Sequence, residues 1–201
     1  MIGSGKDTVG EVLVNEYGFS KLSFAGTLKD VTAVLFDWDR NMLEGTTPET
    51  RAEREVIDPW WSEKLGRDWS PRIALQQMGT EVMRNHLHND IWILTLENKL
   101  RKLGNVVITD CRFPNEIDFI KERGEIWTID RGPKPSWWNY AVRFNHPLDA
   151  DTRRVMHDLD QTPEQLGVHA SEYSWAGVDA KHTLDNNDSL KSLRDKVRSL
   201  A

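Results

Sequence analysis

The sequence predicts a three-layer α/β domain with a mostly parallel sheet, because short apolar strands alternate with amphipathic helices along most of the chain. Val106-Val107-Ile108-Thr109 is a continuous β-branched run, typical of a strand buried on both faces. Several helical patterns begin at a proline or end at a glycine, as at Pro114 and Gly18. A chain of 201 residues is long enough for one domain with its own core, so residues 1–201 are expected to form a single domain.

The elements follow from apolar periodicity and from glycine and proline breaks. Helices are predicted over residues 5–17, 27–35, 71–85, 89–102, 114–124 and 190–197, and strands over residues 19–24, 106–109, 125–129 and 182–184. The strand at 106–109, the helix at 114–124 and the strand at 125–129 should form one right-handed βαβ unit. Residues 37–70 combine tryptophan, proline and charge, which indicates loops and short helices and not core. Residues 132–180 are interpreted as a lid with two short helices.

Composition excludes several classes of protein. The formal charge of −6 disfavours stable nucleic-acid binding, which requires a basic face that displaces counterions. No apolar run is long enough to cross a membrane, and the first residues lack the pattern of a secretion signal. A single cysteine, Cys111, forms no internal disulfide. A cytoplasmic location is therefore expected.

The strongest motif is Gly3-Ser4-Gly5-Lys6-Asp7-Thr8, which opens directly into a helix. Glycines let main-chain N–H groups converge, the helix N-terminus is partly positive, and a lysine reaches phosphate oxygens. The motif is a partial P-loop, since the first glycine of the full pattern would precede Met1 and Asp7 takes the place of Ser or Thr. The alternative is a flexible glycine-containing segment before a surface helix.

A second candidate site lies at the end of the 106–109 strand. Asp110 would stand at the carboxyl edge of a parallel sheet, where open α/β folds bind ligands, and Arg112 could bridge phosphates. The alternative is that Asp110 caps the next helix while Arg112 pairs with Glu116. Cys111 is expected to be a small buried residue.

The helix at 71–85 carries the third candidate site. Arg72, Gln76, Gly79 and Thr80 recur at helical spacing and would form one polar stripe. The guanidinium of Arg72 suits a phosphate, the amide of Gln76 suits the edge of a base, and Gly79 would let a ring approach the backbone. The alternative is a solvated polar face, which has the same pattern. Gly79 favours a packing or binding role, because glycine within a helix costs about 1 kcal/mol relative to alanine.

Together, GSGKDT, PRIALQQMGTE, the Ile91-Trp92 pair and VVITDCRFPNE resemble the deoxynucleoside monophosphate kinases of tailed bacteriophages. The resemblance implies a P-loop kinase fold that transfers the γ-phosphoryl group of ATP, with Mg²⁺, to a deoxynucleoside monophosphate. It also favours a homodimer, and the host cytoplasm if the chain is phage-encoded. The family has a strand ahead of the glycine loop that this sequence lacks, and Ile73 stands where some members have lysine.

The same resemblance assigns roles to the matching positions. Lys6 would contact the transferred group, and Asp7 or Thr8 would hold Mg²⁺. Residues 37–103 would form the acceptor region, and Lys29 would lie near the monophosphate. The remaining assignments are Gly3, Ser4, Gly5 and Asn187 for ATP; Arg72, Gln76, Gly79, Thr80 and Trp92 for the acceptor; and Asp110, Arg112 and Glu116 for the catalytic edge.

Two alternatives to this function stay open, and a third is disfavoured. One is another small-metabolite P-loop kinase, such as a dephospho-coenzyme A or phosphomevalonate kinase. A second is a nucleotide-binding protein without catalytic activity. A DNA-end kinase is disfavoured by the net acidity and by the lack of a basic stripe.

Overall fold

The computed structural model of the chain describes residues 3–146, 163 and 165–201. These residues fall into two units: unit one holds the chain up to Lys21 and from Val107 onward, and unit two holds Leu22–Val106. Residues 147–162 and 164 of the predicted lid lie outside the described residues.

Unit one contains the first and the last elements of the chain. The boundary with unit two falls at the last residue of β1 and at the first residue of β2. Its elements are α1 (Lys6–Tyr17), β1 (Ser20–Leu22), β2 (Val106–Ile108), α8 (Pro114–Lys121), β3 (Trp127–Asp130), α9 (Trp138–Asn145), α10 (Ala170–Tyr173), β4 (His182–Asp185) and α11 (Leu190–Arg198). The predicted end of α1 is confirmed, because Gly18 adopts a left-handed φ of 70° and donates its N–H to the carbonyl of Leu13.

The core of unit one joins the first and last helices. Residues three and four apart on α1 and α11 face the same side and bury aliphatic side chains against β4. The buried members are Val9, Val12, Leu13, Leu184, Leu193 and Val197, with Phe19, Val107, Trp127 and Ile129 packed around them. This core fixes α1 and therefore the glycine loop that precedes it.

The strands form two separate sheets of two strands each among the described residues. β1 pairs with β2, and β3 pairs with β4 in parallel, with Trp127 opposite His182 and Asp130 opposite Asp185. The chain is thus a mixed α/β protein, but the prediction that β2, α8 and β3 form one βαβ unit is wrong, because β2 and β3 lie in different sheets. A β-branched run specifies an extended segment, whereas the partner of that segment is chosen by tertiary packing.

Unit two is helical. It contains α2 (Gly26–Phe36), α3 (Arg40–Glu44), α4 (Pro48–Glu53), α5 (Pro59–Leu65), α6 (Pro71–Gln76), a π-helix (Gln77–Leu87) and α7 (Ile91–Leu100). The short helices expected over 37–70 are present. The expectation that this stretch stays out of the core is wrong, because Trp69 is buried and the rings of Trp38, Trp61 and Trp69 each contact Phe36. Aromatic rings bury enough area to offset the neighbouring charges.

The helix predicted over residues 71–85 changes type after Gln76. From Gln77 to Leu87 the chain is a π-helix, whose wider turns end with the N–H of His88 bonded to the carbonyl of Met83. The α-helical spacing that predicts one stripe through Arg72, Gln76, Gly79 and Thr80 therefore does not continue beyond Gln76. None of the described helices combines the length and the apolar character that a membrane span requires.

Candidate functional site

The glycine loop Gly3–Gly5 turns the chain into α1. Gly3 and Gly5 have positive φ angles of 76° and 104°, a region that favours residues without a Cβ. Lys6 is the first residue of α1. Because the first N–H groups of a helix have no partner within the helix, this turn presents donors and the positive end of the helix dipole. The phosphate cradle predicted from the sequence requires such a turn, and its binding of phosphate stays a prediction.

The loop is held in place by the segment that follows β4. The side-chain amide of Asn186 donates to the carbonyl of Ser4 at 2.8 Å, and both residues are buried. A Cβ on Gly5 would lie 2.5 Å from the Asn186 Nδ2, so the close packing requires glycine. Arg131, directly after β3, donates to the carbonyl of Gly3 at 2.9 Å. Sequence analysis missed Asn186 and the contact of Arg131, although polar residues directly after predicted strands were a usable signal.

Asp7 is at the centre of a small charged cluster in the first turn of α1. Its carboxylate lies 3.3 Å from Lys6 Nζ and 3.5 Å from Lys21 Nζ, and it accepts a 3.1 Å hydrogen bond from the Thr109 hydroxyl. Burial acts to raise the pKa of Asp7, but the two ammonium groups and the Thr109 bond outweigh burial and keep the pKa below its ordinary value. Asp7 is therefore ionised at neutral pH.

The residues at the start of α1 fit a magnesium ion. Asp7 supplies an ionised carboxylate and Thr8 a hydroxyl, which are the hard oxygen donors that Mg²⁺ prefers. Within the described residues no group of three or more His, Cys, Asp or Glu side chains gathers into an all-protein metal site. Mg²⁺ at phosphate sites usually has one or two carboxylates and takes its other ligands from phosphates and water, so a sparse donor set suits it.

The loop after β2 is organised by Glu116. This side chain is 2% exposed and accepts hydrogen bonds from the backbone N–H groups of Arg112 and Phe113 at 2.9 and 3.1 Å. Glu116 thus fixes the backbone from which the half-buried Arg112 side chain projects, and Phe113, not Asp110, takes the N-cap position of α8. Burial, together with the nearby Glu116 and Asp110 carboxylates, raises the pKa of the Cys111 thiol. Cys111 therefore stays a neutral thiol.

Asn187 is exposed and links β4 to the turn after β3. Its Oδ1 accepts from the N–H of Gly132 at 2.7 Å, and its amide nitrogen bonds the Asp185 carboxylate. Asn187 directly follows Asn186, the residue that binds the glycine loop. All three sets of candidate residues belong to unit one: Gly3–Thr8, Asn187 and the Asp110–Glu116 segment.

The acceptor-side candidates lie in unit two. Lys29 Nζ is 2.6 Å from Glu44, which also binds Arg40 at 2.7 Å. Burial acts to raise the pKa of Glu44, but the hydrogen bonds from Lys29 and Arg40 outweigh it and lower the pKa. Arg72 Nε lies 3.4 Å from Glu55, and both side chains are partly exposed to solvent. Lys29, Arg40 and Arg72 are therefore each paired with a carboxylate.

Gly79 and Trp92 form the interior support of the same region. The Trp92 ring is 4% exposed and donates its indole N–H to the carbonyl of Gly79 at 2.8 Å. A Cβ on Gly79 would lie 2.9 Å from Leu28, so glycine permits close contact with α2. Gln76 and Thr80 are half-buried on either side of the change from α-helix to π-helix.

Comparison with known proteins identifies the family. The chain is 34% identical over 168 residues to a mimivirus protein named "Putative deoxynucleotide monophosphate kinase" (Acanthamoeba polyphaga mimivirus), covering 76% of this chain and 79% of the relative. The chain belongs to the deoxynucleotide monophosphate kinase family. Escherichia phage T5 deoxynucleoside-5'-monophosphate kinase, also similar to this chain, is 31% identical over 96 residues, which is 45% of this chain and 38% of the phage protein. No protein-family model matches the chain.

Proposed function

We propose that this kinase-family protein transfers the γ-phosphoryl group of ATP to a deoxynucleoside monophosphate, giving ADP and a deoxynucleoside diphosphate. The carrying observation is its 34% identity to the mimivirus relative over 76% of the chain. The cradle of glycine backbone, helix N-terminus and Lys6 at the start of α1 supports the ATP half of this proposal. The proposed fold is a P-loop kinase, with residues 132–180 as a lid.

Lys6 and the N–H groups of the glycine loop would bind the ATP phosphates. The Lys6–Asp7 pair, at 3.3 Å and partly exposed, is weak enough for a polyphosphate to displace. Asp7 and Thr8 would hold Mg²⁺, which when bound neutralises charge on the phosphate oxygens. Asn187 would border the adenine. Asn186 keeps the loop in its binding shape through its bond to Ser4.

Phosphoryl transfer asks the protein for positioning and charge neutralisation, with no covalent enzyme intermediate. Lys6 and Arg112 would stabilise the charge on the migrating group, and Glu116 would keep the Arg112 backbone in place. Asp110 would orient a water molecule at the same loop. No general base is needed, because a monophosphate is already mostly ionised near pH 7.

The acceptor monophosphate would bind in unit two. Arg72 would bind its phosphate, assisted by Lys29, and Gln76 and Thr80 would contact the base. Gly79 and Trp92 would support these residues from beneath, through the bond between the Trp92 indole and the Gly79 carbonyl. The Arg72–Glu55 pair is partly exposed and would exchange for a phosphate at modest cost, whereas Lys29, whose side chain is 13% exposed, would give up a more buried partner.

The test is ADP release from ATP and Mg²⁺ with each of the four deoxynucleoside monophosphates. We expect turnover with at least one of them, and a loss of on the order of a hundredfold or more in kcat for Lys6→Ala. Lys21→Ala is the matched control, because Lys21 also pairs with Asp7 but lies outside the glycine loop. Background turnover in wild type and Lys6→Ala alike would indicate a protein that binds nucleotide without catalysis. Turnover only with dephospho-coenzyme A or phosphomevalonate would contradict the proposed acceptor.

A further inference from the structure

Arg54, at the C-cap of α4, stands out in unit two because one nitrogen of its guanidinium has no hydrogen-bond partner within the described part of the chain. Its Nε is buried and has no hydrogen-bond partner among the described residues. The ion pairs of the region, Lys29–Glu44, Arg40–Glu44 and Arg72–Glu55, do not include it. Buried N–H donors normally have partners, so an orphaned guanidinium nitrogen calls for a ligand.

The backbone around Arg54 is built to hold its guanidinium close. A Cβ on Gly45 would lie 2.4 Å from the Arg54 Cζ, so the guanidinium packs directly on a glycine whose φ is +63°. Arg51, one turn earlier, is already satisfied, since its side chain donates to the carbonyls of Gly45 and Thr46 at 3.0 and 2.9 Å. Of these two arginines, Arg54 is the one whose guanidinium keeps an N–H donor without a partner in the residues that the structure describes.

Arg54 is also a direct neighbour of Arg72. The N–H of Arg72 donates to the carbonyl of Arg54 at 2.9 Å, which ties the start of α6 to the end of α4. Burial and the nearby Arg72 guanidinium outweigh the opposing effect of the Glu55 and Glu44 carboxylates and lower the pKa of Arg54 below its ordinary value. An arginine still keeps its proton at neutral pH, so the two positive charges repel each other, and an anion that binds both would relieve the repulsion.

We propose that Arg54 acts with Arg72 as a two-guanidinium clamp for the phosphate of the acceptor nucleotide. The inference rests on the proposed function, because it assigns the acceptor phosphate of that reaction to a second residue. Guanidinium forks match phosphate oxygens in geometry, and two of them balance the two negative charges of a monophosphate. The segment 37–70 then has a role: its helix α4 carries the second half of a site that begins on α6.

The test compares a deoxynucleoside monophosphate with its nucleoside, which lacks the phosphate. For the best of the four monophosphates, Arg54→Met should raise the KM on the order of ten- to a hundredfold, the range for a lost charge-assisted hydrogen bond. The KM for ATP and the dissociation constant of the nucleoside should not change. Arg67→Met is the matched control, because Arg67 is an arginine of the same unit engaged by Gln77 at 2.7 Å and stacked on Trp69.

Two further variants separate binding from folding. Arg54→Lys keeps the charge but loses the fork, and should recover only part of the affinity. Gly45→Ala leaves every charge in place but puts a Cβ where the Arg54 guanidinium lies, so it should weaken monophosphate binding and leave nucleoside binding unchanged. Circular dichroism melts establish that each variant is folded.

The possible results are distinct. If Arg54→Met and Arg67→Met bind monophosphate equally well and the wild type turns over, the clamp is wrong and the proposed function stands. If the wild type neither binds nor phosphorylates any of the four monophosphates, both are wrong. A loss of nucleoside affinity equal to the loss of monophosphate affinity would mean a structural role for Arg54 and would also overturn the clamp.

Discussion

Replacing each of the two loop glycines by alanine separates backbone strain from contact with Asn186. Gly3 and Gly5 both have positive φ, so alanine at either position costs about 1–2 kcal/mol of backbone strain. The difference lies in the surroundings: an added Cβ at Gly3 meets nothing within 4 Å, whereas at Gly5 it would lie 2.5 Å from Asn186 Nδ2 and 2.9 Å from Leu193 Cδ2.

The extra cost at Gly5 is the buried hydrogen bond between Asn186 and Ser4. Displacing Asn186 leaves a buried donor and a buried acceptor unpaired, which costs about 1–3 kcal/mol. Gly5→Ala should therefore be less stable than Gly3→Ala by about that amount. The same displacement deforms the phosphate cradle, so ATP binding should weaken at least about tenfold, since about 1.4 kcal/mol corresponds to a factor of ten.

Urea denaturation followed by circular dichroism measures the stability difference, and isothermal titration measures ATP binding. Gly3→Ala is the internal control, because it carries the same substitution and the same sign of φ without the contact. Equal denaturation midpoints and equal ATP affinities in the two variants would refute the argument that Asn186 sets the shape of the loop.

Three further predictions concern single side chains. Trp92→Phe should cost about 1–2 kcal/mol in urea denaturation, because it removes the buried hydrogen bond from the indole to the Gly79 carbonyl, whereas Trp60→Phe at an exposed ring should be near neutral. The lowered pKa of Asp7 stabilises the folded state at pH values above 3.8, its ordinary pKa, and this contribution is lost as the pH falls through the pKa of the folded state. Asp7→Asn should therefore reduce the loss of stability measured between neutral and acidic pH. An unchanged loss would contradict this argument. Cys111, with its raised pKa, should react with a thiol reagent at pH 8 only slowly until urea unfolds the chain; rapid native labelling would argue against its burial.

Local signals in the sequence predicted the elements well. Gly18 ends α1 and Pro114 begins α8 as expected, since each acts on the backbone at its own position. Strand pairing was not predictable in the same way. The residues of β2 predict an extended strand equally well beside β1 or beside β3, and the choice depends on packing across residues far apart in the chain.

In the candidate site, too, the local features could be predicted and the long-range contacts could not. The glycine loop was evident from six consecutive residues, but the residues that hold it are distant: Asp7 and Thr109 are 102 positions apart. The prediction that one polar stripe runs along the helix at 71–85 was wrong beyond Gln76, because no residue in that stretch signals the change to a π-helix. Arg54 was also missed, since its importance depends on Gly45 and Arg72 and not on a motif of its own.

The bond between Ser4 and Asn186 joins residues 182 positions apart, and a two-pronged ion pair between Glu16 and Arg198 spans the same separation. During synthesis on a ribosome, Ser4 emerges 182 positions ahead of Asn186. A nascent chain therefore cannot form the bond that holds the glycine loop until Asn186 has been translated, and premature termination before Asn186 yields a product whose loop lacks this bond.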